Sequence, residues 1–169
     1  MEKIVRNYLE IKSLNDLQCK KNLNLNCYIE KVIPEDFQLN KFFYKQIGKN
    51  YYWTDRLEWT DKQWIEYVSN ENVFTFILKK NVDMVGFFEL IYHPDMLEVE
   101  IAYLGLLTDY TEKNLGSYLL TEAIKQSFLL KVKRVWVHTC SLDHKNALKN
   151  YLSRGMKIYN TETINVKPV

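Results

Sequence analysis

Between Val73 and Leu107 three apolar, β-branched and aromatic runs are separated by two short turn signals, and this meander limits the fold more than any other feature of the chain. Val73 to Leu78 reads as one strand, Met84 to Tyr92 as a second and Leu97 to Leu107 as a third. Asn81-Val82-Asp83 and His93-Pro94-Asp95-Met96 are the turns. Strands joined this tightly lie antiparallel and side by side, and their apolar faces need cover. Upstream, Leu39, Phe42, Phe43 and Ile47 make a helical stripe stopped at Gly48. Thr60 with Gln63 three positions later is a capping box, opening a helix whose inner face is Trp64, Ile65 and Val68. Downstream, Leu115, Leu119, Leu120, Ala123, Ile124 and Phe128 share one helix face, and Val132 to Cys140 alternates as a strand. Asp143 is placed to cap a helix carrying Ala147, Leu148, Tyr151 and Leu152, which Arg154-Gly155 ends before a last strand from Met156 to Val166. The first third is plainer: a weakly alternating run from Ile4, then a strand from Cys27 to Ile33 stopped by Pro34. This order predicts a mixed α/β domain with helices packed on a central sheet.

At 169 residues the chain is the size of one domain. Its 23 basic and 21 acidic residues nearly cancel, which argues against a nucleic-acid binder that depends on counterion release. No run reaches the roughly 20 apolar residues of a membrane span, and the opening Met1 to Arg6 has no apolar signal core. Three cysteines (Cys19, Cys27, Cys140) without Cys-x-x-Cys spacing suggest neither a disulfide framework nor zinc, and the three histidines are not spaced as ligands on one helix. The expectation is a cytoplasmic protein without metal, membrane or nucleic acid.

Two segments carry chemistry. Leu104 to Ser117 runs from a buried strand through a polar loop into a long helix. A helix start leaves backbone N–H groups unpaired and bears about half a positive charge, so it suits a phosphate. Gly116 would let an anion approach the backbone, and Asn114 is the non-glycine type best able to take positive φ. In the second segment, Tyr151 lies one turn after Ala147 on one helix face. A phenol with a pKa near 10 can protonate a departing thiolate whose acid has a pKa near 8.5.

Together these segments resemble the GCN5-related N-acetyltransferase superfamily over roughly Val73 to Tyr159. The family's phosphate loop, Gln/Arg-x-x-Gly-x-Gly/Ala, falls on Thr111-Glu112-Lys113-Asn114-Leu115-Gly116. Its helix signature, Asn-x-x-Ala-x-x-x-Tyr-x-x-x-Gly-Phe, falls on His144, Ala147, Tyr151, Gly155 and Met156. Ala, Tyr and Gly stand in register; Thr111, Asn114, His144 and Met156 depart from the pattern. The stretch Trp136 to His144, with Trp53 and Arg56 upstream, also resembles a bacterial subgroup with no single substrate.

The resemblance implies an α+β-like fold whose mostly antiparallel sheet of six to seven strands is splayed between the fourth and fifth core strands, with helices on both faces. It implies one acyltransferase domain over 1–169: strands in 1–34, two helices and an acceptor-site loop in 35–72, a cofactor-binding core in 73–159 and a strand end in 160–169. Acetyl-coenzyme A would lie in the gap, touching Leu104, Leu106, Leu107, Glu112, Lys113, Asn114, Leu115, Gly116, Ser117, His144 and Ala147. An amine would attack the thioester directly and Tyr151 would protonate the thiolate. The acceptor is a small-molecule amine, with a protein or peptide amine as alternative, walled by Trp53, Arg56 and Tyr103. A non-catalytic acyl-coenzyme A-binding module is the alternative from another class.

For the base, a hairpin with Tyr92 opposite Leu97 sets Glu89 opposite Glu100, with Glu98 on the same face. Mutual repulsion would raise at least one of these pKa values, giving Glu100 as base and Glu89 as helper. His138 reads as a strand histidine packed on its neighbours and Cys140 as a small buried hydrophobe. The last strand, as a sheet edge, could pair with a second copy to form a homodimer.

Overall fold

A computed structural model describes residues 1–21, 26–111 and 114–166. The elements are β1 (Glu2–Ile11), β2 (Cys27–Lys31), α1 (Phe37–Gly48), α2 (Asp61–Val68), β3 (Val73–Lys80), β4 (Asp83–His93), β5 (Glu98–Leu106), α3 (Leu115–Phe128), β6 (Arg134–Cys140), α4 (Ala147–Ser153) and β7 (Lys157–Val166). One sheet takes all seven strands in the order β2-β3-β4-β5-β6-β1-β7. Every pairing is antiparallel except β5 with β6. This is the mixed α/β sheet expected, at the upper strand count.

Side-chain alternation divides the core. On β4, Phe87 points to one face and packs with Phe43 and Ile47 of α1 and Ile77 of β3. Its neighbour Phe88 points to the other, joining Leu90, Ile101 and the α3 residues Leu119, Leu120, Ala123 and Ile124. Helices therefore cover both faces. Asp36 opens α1 by accepting the Gln38 backbone N–H at 3.0 Å. Thr60 and Gln63 make the expected reciprocal capping box of α2. No helix of the described residues is long and apolar enough to cross a membrane.

The hairpin register differs from the expected one. The loop is Pro94 to Leu97, and Leu97 takes a left-handed φ of 52° instead of beginning the strand. His93 therefore faces Glu98, and Ile91 faces Glu100. A bulge then shifts the pairing, so that Leu90 faces Ile101 while Glu89 faces Tyr103. Glu89 and Glu100 are not cross-strand partners.

The start of α4 is later than expected. Asp143 does not cap it: its Oδ2 accepts the Thr139 hydroxyl at 2.6 Å and the Cys140 backbone N–H at 2.9 Å. That carboxylate pins the loop leaving β6, and the helix begins at Ala147. Gly155, with φ of 99°, ends the helix where expected.

The feature that positions the site lies between β5 and β6. They pair at only three positions, Glu98 with Arg134, Val99 with Val135 and Glu100 with Trp136. Beyond Glu100 and Trp136 the two strands part. β5 continues to Leu106 against β4, while β6 continues to Cys140 against β1, with Arg6 opposite Cys140. The splay expected between the fourth and fifth strands of the sheet is therefore present.

Candidate active site

A cavity of about 770 Å³ fills this fork and runs out under the segment joining α1 to α2. Its walls include Leu104 and Leu106 of β5, Val137 and His138 of β6, Gly116 and Ser117 of α3, and Ala147 and Tyr151 of α4. Trp53, Asp55, Arg56 and Trp59 close its far end. Of the residues singled out by sequence, Glu100, Tyr103, Asn114 and His144 also reach it. Leu107, Leu115 and Glu89 do not line it. The Leu107 N–H donates to the Val85 carbonyl and Leu115 is packed in the α3 core. Glu112 and Lys113 lie outside the described residues.

At the α3 end the available groups are mostly backbone. Asn114 takes a left-handed φ of 57° and delivers no side-chain cap, so no cap side chain occupies the first N–H groups of α3. A Cβ placed on Gly116 would meet nothing closer than Asn150 Nδ2 and Leu106 Cδ1, each at 3.8 Å. Packing therefore does not require this glycine, and the space it leaves faces the cavity. Thr111 uses its hydroxyl locally, donating to the Thr108 carbonyl at 3.0 Å. Asn150 ties the two helices by donating from Nδ2 to the Gly116 carbonyl at 3.1 Å. His144 Nδ1 accepts the Asn146 backbone N–H at 3.1 Å, and its ring meets Tyr51 edge-on. Tyr151 is 8% exposed. Burial, reinforced by the Asp143 carboxylate, pushes its phenol well above the ordinary value.

At the α1–α2 end the groups are side chains. Arg56 is 6% exposed and Glu89 is fully buried behind it. Arg56 Nη1 reaches the two Glu89 carboxylate oxygens at 2.9 and 3.3 Å. Tyr67 donates to Glu89 Oε2 at 2.8 Å, and Asn40 donates to Oε1 at 2.8 Å. The guanidinium also stacks among rings: its carbon lies 4.0 Å from the Tyr67 centroid, 4.5 Å from Tyr103 and 4.8 Å from Trp59. Burial alone would lower the Arg56 pKa; the Glu89 charge, with Tyr67, Tyr103 and the Glu89 hydrogen bond added, outweighs it and holds the group above its usual range. Burial and the same carboxylate push Tyr67 up. Trp53 and Tyr103 pack at 4.7 Å, and the Tyr103 hydroxyl donates to Asp55 at 3.3 Å.

The three carboxylates expected to repel one another on this face are separately partnered. Glu89 is held by Arg56, Glu98 by Arg134 at 3.1 Å, and Glu100 lies 3.3 Å from His93 Nε2. His138, read from sequence as simple packing, is in the cavity wall, and Arg6 joins it from β1. Neither was legible as a site residue, because strand order alone brings β1 beside β6. Among the described residues no group of three or more His, Cys, Asp or Glu is arranged to hold a metal ion.

The single parallel pair of the sheet thus opens over a cavity beside the start of α3, where Asn114 makes no side-chain cap. The chain belongs to the acetyltransferase (GNAT) family, whose model matches residues 36–156. A search of curated proteins found no match in sequence. Among solved structures it resembles a GCN5-related N-acetyltransferase from Kribbella flavida, with 15% identity and a TM-score of 0.68 over 93% of this chain and 55% of that one. A GCN5-related N-acetyltransferase from Sphaerobacter thermophilus gives 13% identity and a TM-score of 0.70 over 95% and 50%. The chain thus spans about half the length of these two. The ribosomal-protein-S18-alanine N-acetyltransferase of Escherichia coli gives 19% identity and a TM-score of 0.58, with 76% of each chain covered. At these identities the likeness is one of fold.

Proposed function

We propose that this chain transfers an acetyl group from acetyl-coenzyme A to a primary amine by direct attack. The observation that carries the reading is the parting of β5 from β6 beyond Glu100 and Trp136, with the cavity continuous from the start of α3 to the aromatic end. The fit of the donor rests on the start of α3, where Asn114 makes no side-chain cap, and on the room over Gly116. Leu104 and Leu106 would pair with the pantetheine arm along β5, Asn114 to Ser117 would hold the diphosphate, and His144 and Ala147 would flank it. Bound acetyl-coenzyme A supplies an activated thioester carbonyl and a thiolate leaving group. A backbone N–H near Leu104 would polarise that carbonyl, an effect of roughly 2.7–4 kcal/mol where single oxyanion donors have been removed.

Tyr151 is protonated at neutral pH as any phenol is, burial pushes its pKa higher still, and it would deliver that proton to the departing sulfur. Bound away from water, the departing sulfur would itself favour its protonated form. Trp53, Arg56 and Tyr103 wall the amine, and Asp55 and Glu100 provide negative charge for its ammonium form. Glu89 is withdrawn from the cavity and serves as the counter-ion that fixes Arg56.

The test is thiol release from acetyl-coenzyme A with a panel of primary amines, including a peptide N-terminus, for the wild-type chain and Tyr151→Phe. The reading predicts turnover with at least one amine and its loss in the variant. Coenzyme A binding with no amine acylated would make the chain a binding module instead.

A further inference from the structure

Building on the reading of this cavity as a site of amine acylation, we propose that His138 is the general base that takes the acceptor's proton. β5 and β6 separate after Glu100 and Trp136, and His138 is the next residue on the same face of β6 as Trp136. It therefore stands just inside the fork, in the cavity wall, on the face that carries Glu100. Tyr8, its cross-strand neighbour on β1, flanks the ring at 5.7 Å between centroids.

The charges around the imidazole suit a base. The ring is open to the cavity; partial desolvation by the protein around it and the Arg6 guanidinium of β1 lower its proton affinity, so the ring is neutral near pH 7 and able to accept. Glu100 of β5, Asp55 of the α1–α2 segment and Asp143 of the loop after β6 act in the opposite sense. They stabilise the imidazolium that forms when a proton arrives. Tyr8 of β1 and Cys140 of β6 are both neutral at that pH, since both are shifted upward, and Glu162 of β7 lies behind them, accepting from the Tyr8 hydroxyl at 2.7 Å and 3.7 Å from Arg6. The carboxylates are less suited. Glu89 already accepts from Arg56, Tyr67 and Asn40 and does not line the cavity, and Glu100 is engaged with His93.

The protons balance. An ammonium acceptor loses two: one passes to His138 and on to solvent, and the other leaves as the new carbon–nitrogen bond forms. The carbon–sulfur bond breaks, and the sulfur takes the Tyr151 proton, which the second amine proton replaces.

Two measurements test this. The first is an NMR titration of the His138 ring, assigned by its disappearance in His138→Gln. The midpoint is expected below the ordinary 6.5, lower still in Glu100→Gln and higher in Arg6→Gln. The second is thiol release from acetyl-coenzyme A with 2-phenylethylamine, n-butylamine and glycinamide between pH 6 and 9. Wild type should level off above the His138 midpoint. His138→Gln should be at least about 100-fold slower at pH 7 and should rise toward tenfold per pH unit with amines of pKa near 10, because only pre-formed free amine then reacts. Its affinity for coenzyme A should be unchanged. A midpoint at or above 6.5, or parallel pH profiles for the two proteins, overturns the assignment. A wild-type chain that acylates none of the three amines overturns the acylation reading on which it rests.

Discussion

At the α3 end of the cavity a ligand would meet backbone: the first N–H groups of a helix, the space over Gly116 and the free run of β5. At the α1–α2 end it would meet side chains held by one another, with Arg56 clamped by Glu89 and stacked among Tyr67, Tyr103 and Trp59. The two constructions tolerate change differently. Backbone donors do not depend on side-chain identity, so on the proposed reading Thr111, Asn114 and His144 would stand in for the family's usual residues without loss of those donors. A buried ion pair has no such latitude, because each partner is neutralised by the other alone.

Removing one partner of the pair is therefore the harshest way to break this contrast. Glu89→Ala strands the Arg56 charge, leaves the Tyr67 hydroxyl without Glu89 as acceptor, and removes one of the two acceptors of Asn40 Nδ2, which keeps Thr75. It should cost about 3–5 kcal/mol in urea unfolding, and a loss under about 1 kcal/mol would mean that the aromatic box holds Arg56 unaided. Next in size, Tyr151→Phe should lower kcat by about 100-fold or more, roughly 2.7 kcal/mol, with coenzyme A affinity unchanged. Its upward-shifted pKa also carries a sign. The phenol stays protonated past pH 10, so wild-type turnover should show no basic limb from this group between pH 7 and 10.

Gly116→Ala separates fold from ligand. The added methyl meets only ordinary contacts, so stability should hold or rise by roughly 0.5 kcal/mol. The same methyl occupies the phosphate approach, and coenzyme A should bind about tenfold more weakly by calorimetry. Equal affinity would place the diphosphate elsewhere. The smallest effect is in stability against pH. The folded chain holds His138 below its unfolded value, so it binds fewer protons than the unfolded chain. That contribution is complete above about pH 6.5 and fades as pH falls through the lowered value, whereas His138→Gln should flatten this part of the curve.

Short-range signals were readable in the sequence. The capping box at Thr60 and Gln63 and the spacing of Ala147, Tyr151 and Gly155 depend on neighbours within a few residues. The strand meander was also legible, but not its register, because a left-handed Leu97 and a bulge beside Leu90 move the pairing by two and then three positions. The setting of Glu89 was hidden for another reason. Its partners come from α1, α2 and the segment between them, all distant in sequence. His138 gains its meaning only where β1 brings Arg6 alongside β6 at the mouth of the fork.

Calorimetric titration of the wild-type chain with acetyl-coenzyme A bears most directly on all of this. The account predicts saturable binding at one site per chain, and at 100 times the dissociation constant a gain of about 2.7 kcal/mol in unfolding free energy. Absence of heat and of any thermal shift, with either the thioester or coenzyme A, would contradict it.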